Sequence, residues 1–204
     1  MELEDSQYPS GMPILSLFEA AASTNPTPGG GSVSAVCGYL GVALLLKAIR
    51  ISARKKPTEF LFVETEEELI RISDRLTRLS RADSEAFDQY MKALKLPKVD
   101  EAEKVIRSQS LRDASIAATE VALDILEAGN AVLKCSAQVL EEVLPTIRAD
   151  VRAGIEFASA MNIVARENAK ANLSGLPHSD ALQFRLAVGV EQHRQWIRNL
   201  GIGM

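Results

Sequence analysis

"NPTPGGGSVSAVCGYLGVALLL", residues 25–46, sets three consecutive glycines between two prolines and a long apolar run. The run from Val33 to Leu46 shows no strand-like alternation of apolar and polar residues. It is shorter than the roughly 20 residues that span a bilayer. It contains Gly38 and Gly41 and ends in Lys47, so it reads as a buried core helix. Glycine loses more backbone freedom on folding than any other residue. Gly29, Gly30 and Gly31 at the mouth of such a helix therefore need a reason. One reason is tight helix packing, extended by Ala35 and Gly38. The other is a site, in which bare N–H groups at the helix start face a ligand that approaches closely. Ser32 adds a hydroxyl. No Gly-Lys-Ser/Thr follows the glycines and no strand precedes them, which excludes a P-loop and a dinucleotide fingerprint.

The rest of the chain is also helical in character, rich in alanine, leucine, glutamate and arginine. A short helix is predicted from Pro13 to Ser23, and the glycine helix from Gly29 to about Lys55, stopped by Pro57. Thr65 and Glu68 have the form of a capping box and predict a long helix to about Leu96. Asp100 and Glu103 repeat that logic for a fourth helix, with a break near Gly129. Thr146 is expected to cap a fifth helix that ends at Ser174-Gly175. Ser179 or Asp180 starts the last, to about Leu200. The expected fold is all-α: one domain over residues 1–204, a bundle of about six helices.

Composition fits an ordinary globule. The 204 residues are 47% hydrophobic and 25% charged, enough to bury a core without staples. A net charge of −4 argues against general nucleic-acid binding. Cys37 and Cys135 belong to no CxxC pair, so neither a zinc site nor a disulfide framework is expected. The acidic start MELEDSQYPSG does not read as a secretory leader. A cytoplasmic location without membrane contact is the expectation. His178 and His193 lie too far apart for a metal motif, and no G-x-S-x-G elbow is present, so no metal site or serine-hydrolase site is expected.

Polar residues interrupt two apolar seams. Leu69, Ile72, Leu76 and Leu79, then Ala86, Tyr90 and Leu94, share one helix face, and Asp83 falls among them. A carboxylate there needs a partner. It is either a catalytic or ligand-binding group with a perturbed pKa, or the product of a drifted seam, paired with Arg81 or another surface cation. Ile147, Val151, Gly154, Ala158, Met161 and Ala165 form a second stripe that runs on to Asn168 and Asn172. Those two amides share a helix face and either bind a heteroaromatic ligand or cap a neighbouring helix end. Asp150 lies at the edge of this stripe in the first turn, where the helix dipole favours a carboxylate. Arg50, Arg54, Lys55 and Lys56 either complement the dipole at the end of the second helix or receive an anionic tail.

These residues carry a family resemblance. Pro26-Thr27-Pro28-Gly29-Gly30-Gly31-Ser32 resembles the opening signature of the cyclodeaminase/cyclohydrolase family. That family includes the C-terminal part of formiminotransferase-cyclodeaminase and the stand-alone bacterial methenyltetrahydrofolate cyclohydrolases. Asp83-Ser84-Glu85-Ala86-Phe87, Leu96-Pro97-Lys98, Ala149-Asp150 and Asn168-Ala169-Lys170-Ala171-Asn172-Leu173 resemble further family segments, so the likeness covers nearly the whole chain. It implies an all-helical homodimer acting on a one-carbon tetrahydrofolate derivative as substrate, with no tightly bound cofactor. Asp83 would be the catalytic carboxylate and Asp150 the second. Asn168 and Asn172 would orient the pterin or the reacting carbon. Gly29, Gly30, Gly31 and Ser32 would approach the ligand, and Arg50, Lys55 or Lys56 would hold the glutamate tail. Departures at Lys47–Ser52, Ile116-Ala117 and Leu144–Ala149 mark a divergent member. Cyclohydrolase and cyclodeaminase activities stay open at this point, as does a non-catalytic folate-binding or protein-interaction role.

Overall fold

The Asp100 carboxylate accepts a hydrogen bond from the Glu103 N–H (2.8 Å), and Glu103 reaches back to the Val99 N–H (2.7 Å). This reciprocal pair satisfies donors that a helix start leaves bare. The helix it opens is one of six in the computed structural model, which describes residues 8–55, 60–176 and 179–202. They are α1 (Ile14–Ala22), α2 (Gly30–Ala53), α3 (Phe60–Leu94), α4 (Glu101–Val139), α5 (Arg148–Leu173) and α6 (Asp180–Leu200). Among the described residues there is no strand.

Helices α2, α3, α4 and α5 pack in a closed ring, each against the next, and α6 lies along α4 and α5. Phe62, Leu45, Ile49, Leu69, Leu76 and Leu123 are almost wholly buried inside the bundle. Each such side chain stabilises the fold by about 1.5–3 kcal/mol. The α2–α5 contact is made backbone to backbone. A methyl group on Gly41 would stand 3.0 Å from the Gly154 carbonyl oxygen, and one on Gly154 would stand 2.9 Å from that of Gly41. Gly38 makes room for the Met161 side chain, whose sulfur would overlap a methyl group there. The α2 helix extends beyond the apolar run to 24 residues, and by length and apolarity alone it would suffice to cross a membrane. Val42, Leu45 and Ile49 are instead turned wholly into the bundle.

Three local expectations are corrected. Thr65 does not cap α3. The helix is already formed at Phe60, Thr65 is buried within it, and Glu68 pairs with Arg71 at 2.8 Å. Burial of Phe62 rewards the extra turn. Gly129 does not break α4. It leaves a notch filled by the Asn162 side chain of α5. Thr146 does not cap α5. Pro145–Ile147 forms a 3-10 turn, and Ile147 precedes the helix with no side-chain cap. The fully buried Ser52 Oγ accepts from the Leu144 N–H (3.0 Å) and so ties the end of α2 to that connection.

Polar pairs join the remaining elements. Asn162 Nδ2 donates to Asn130 Oδ1 (3.0 Å), and Asn130 Nδ2 donates to the Gly189 carbonyl (2.9 Å), linking α5, α4 and α6. Arg75 and Arg185 share Asp124 and Glu127 across α3, α4 and α6. Cys37 and Cys135 are free thiols. Burial pushes the Cys135 thiol up to about 11, which keeps it neutral and inert. Pro57 and His178 lie outside the described residues.

Candidate active site

The α2 helix starts late. Gly30 packs beside Val164 of α5, and Gly31 against Asp83 of α3. From there α3 continues to Leu94 and α5 to Leu173, while α4 has run from Glu101 to reach this level. One corner of the four-helix ring is therefore open above the first residue of α2. This space is a cleft of about 420 Å³. The glycine turn forms its floor, Asp83, Phe87 and Tyr90 of α3 form one wall, Ser115 and Ala118 of α4 a second, and Asn168 and Asn172 of α5 a third. Pro26, Thr27, Ser174 and Gly175 form the rim.

A helix's first N–H groups have no acceptor within the helix. The earliest intrahelical bond of α2 runs from the Val33 N–H to the Gly29 carbonyl, at 3.1 Å. The Ser32 N–H is taken by Asp83 Oδ2 at 2.7 Å. Gly31 and Gly30 lie one and two residues earlier on the floor of the cleft. The glycine turn thus offers backbone donors and the positive end of the helix dipole to whatever enters.

Asp83 is the centre of a built network. Ser32 Oγ also donates to Asp83 Oδ2 (2.7 Å), and Ser84 Oγ lies 2.9 Å from Ser32 Oγ. Ser80 Oγ donates to the Ser32 carbonyl (3.2 Å). Ser32, Ser80 and Ser84 are all buried. Both hydrogen bonds to Asp83 fall on Oδ2, and Oδ1 packs against Gly31. Burial raises the Asp83 pKa above the usual carboxylate range, and the two bonds from Ser32 oppose that rise. A carboxyl group held in place, facing a cleft, with its proton affinity raised, suits general acid–base work. The alternative pairing with Arg81 is not the one that holds it: Arg81 Nε donates to Glu85 (2.8 Å) and its guanidinium covers the Tyr8 ring.

The structure thus gathers Gly29, Gly30, Gly31, Asp83, Asn168 and Asn172 around one cleft. Ser32 lies beneath it, holding Asp83, and does not line it. Asp150 is elsewhere. It sits 18 residues before Asn168 on the same helix, about 27 Å along the axis, and pairs with Lys47 at 2.6 Å. Arg50 pairs with Glu66 at 2.7 Å, and Arg50 and Lys55 stand at the far end of α2. Lys56 lies outside the described residues. Sequence reasoning missed Phe87, Tyr90 and Ser115 as cleft residues. Spacing held the signal for the first two, because they follow Asp83 by four and seven residues on one helix face.

A family model described as formiminotransferase-cyclodeaminase matches residues 13–185. The chain belongs to that family. Its relatives in the formiminotransferase-cyclodeaminase family include a methenyltetrahydrofolate cyclohydrolase of Methylorubrum extorquens, 30% identical over 85% of either chain. The formimidoyltransferase-cyclodeaminase of Gallus gallus is 27% identical over 80% of this chain, but that stretch is 31% of the larger protein. The crystal structure of a formiminotetrahydrofolate cyclodeaminase from Thermotoga maritima shares the fold, with a TM-score of 0.81 at 22% identity over 92% of this chain and 93% of its own.

Proposed function

We propose that this chain is a one-carbon folate enzyme that hydrolyses 5,10-methenyltetrahydrofolate, with Asp83 as its proton-transfer group. One observation carries the proposal: a half-buried carboxyl, held through Oδ2 by Ser32 and seated against Gly31, lines a cleft floored by the start of α2. The cyclohydrolase relative matches at equal length, which favours this reaction over the alternatives.

The substrate carries a cationic carbon bridging two nitrogens. Ionised Asp83 stabilises that cation and draws a proton from an attacking water, which adds its oxygen to the carbon. The proton then passes to the bridging ring nitrogen as its bond to the carbon breaks. The adduct's hydroxyl proton is released to solvent as the C=O bond forms, and a formyl group remains on the other nitrogen. Asn168 and Asn172 orient the pterin by its ring donors and acceptors. Gly30 and Gly31 bring backbone N–H groups to the same end. Asp150, Arg50 and Lys55 lie away from this cleft within the chain. The second reading is the cyclodeaminase reaction, in which one nitrogen attacks a formimino carbon and ammonia leaves. The names of the vertebrate relatives favour it, and Asp83 would serve there too. A homodimer is part of the proposal, supported by the exposed apolar side chains Ile14, Leu15 and Phe18 on α1.

The test follows the near-ultraviolet absorbance of methenyltetrahydrofolate with wild type and Asp83→Asn. Accelerated loss in wild type, reduced on the order of 10²–10⁴-fold in the variant with binding retained, is the expected outcome. Full activity in the variant would remove Asp83 from the chemistry. Saturable binding without turnover would move the assignment to the cyclodeaminase, assayed by ammonia release, or to a folate binder.

A further inference from the structure

Phe87 has no place in the core seam of α3. It keeps 38% of its surface exposed, and that surface faces the cleft. Tyr90, half-buried, lines the same wall. Both share a helix face with Asp83, about 6 Å and about 10 Å further along the axis. The cleft therefore has unlike sides. Its floor holds the carboxyl group and the glycine turn, and the two amides stand on the wall of α5. The wall of α3 is a ladder of two aromatic rings.

A ligand that fills such a cleft offers hydrogen-bonding groups to the floor and to α5, and a flat apolar face to α3. Resting on the folate reading above, we propose that Phe87 and Tyr90 are specificity-determining residues. They grip the aryl ring borne by the nitrogen next to the reacting carbon. With the reacting carbon at Asp83, that aryl group begins one bond beyond the adjacent nitrogen and extends along α3 toward Phe87. Aromatic faces in offset or edge contact hold such a ring better than aliphatic groups of equal size. The ladder also sets the distance between the held ring and the carboxyl, so an N-aryl substrate is positioned where an N-alkyl one is free to slide.

The experiment compares two substrates: 5,10-methenyltetrahydrofolate, and a methenyltetrahydropterin with a methyl group in place of the aryl ring. The readout is the ratio of their kcat/KM values in wild type, Phe87→Leu, Tyr90→Leu, the double variant and the conservative Phe87→Tyr. Wild type is expected to favour the aryl substrate on the order of a hundredfold. Each leucine variant should lower the ratio about tenfold, the double variant should bring it to within a few-fold of unity, and Phe87→Tyr should keep it. Melting temperatures identify any variant that fails to fold, and Phe87→Tyr retains the ring without emptying the wall. A ratio near unity in wild type, or one unchanged in the folded double variant, overturns this inference and leaves the folate reading intact. Failure of wild type to bind or turn over either substrate overturns both.

Discussion

Gly31 and Asp83 occupy one another's space: Asp83 Oδ1 sits in the notch left by the missing side chain of Gly31. A methyl group at residue 31 would overlap the carboxyl group, although the backbone there is ordinary helix. The glycine serves the position of the proposed proton-transfer group, and of the three glycines it alone is required by close packing. Gly30 would meet only Val164 at 3.5 Å, and Gly29 only the Pro26 carbonyl at 3.9 Å.

Gly31→Ala is therefore expected to displace Asp83 and lower kcat by about 10²-fold or more, since small misplacements carry such penalties. Gly30→Ala, which makes an ordinary contact, should cost much less. Steady-state rates of the two variants, at matched folded fraction, test this order.

Ser32→Ala removes the O–H donor to Asp83 and keeps the N–H donor. Those bonds favour the ionised carboxylate, so their loss raises the Asp83 pKa further. Where ionised Asp83 is the base, the acid limb of the kcat/KM profile should move to higher pH. An unmoved limb would show that another group titrates.

Asp83→Asn should stabilise the fold at neutral pH while lowering activity. The folded pKa of Asp83 is raised, so its favourable contribution is present below the unfolded value near 3.8 and is lost as pH rises through the folded value. At neutral pH the wild type holds a charge that burial disfavours, and asparagine holds none. Thermal melts at pH 7 and pH 4 should show the variant's advantage shrinking in acid.

Gly41→Ala and Gly154→Ala each push two helix backbones apart. Overpacking of this kind costs about 1–3 kcal/mol, or a fall in Tm of a few degrees for a chain of this size. Denaturant midpoints measure it directly.

His193 is buried beside Ser159, whose Oγ lies 3.2 Å from Nε2. Burial, and then the charge of Arg166, hold its pKa below 6.5. The unfolded chain thus binds this proton more tightly, so stability should fall as pH drops below about 6.5. His193→Gln should flatten that part of the stability–pH curve.

Much of the helical layout was legible in the chain. The capping pair at Asp100 and Glu103, the proline at the start of α1 and the apolar run of α2 are local signals, and each is realised. Thr65 misled because its capping chemistry competes with burial of Phe62, a tertiary gain that sequence spacing does not express. Gly129 misled because a notch for Asn162 and a helix break look alike in one dimension.

For the site, the sequence by itself determined that Asp83, Asn168 and Asn172 fall on core-facing stripes, because helical periodicity is a property of spacing alone. Only the tertiary structure decided which polar residues meet. It joined Asp83 to Ser32 across 51 positions and left Asp150 with Lys47 at the other end of the bundle. The physical reason is the late start of α2 within the ring. Where that helix begins, its neighbours lose a packing partner, and the open corner becomes the cleft.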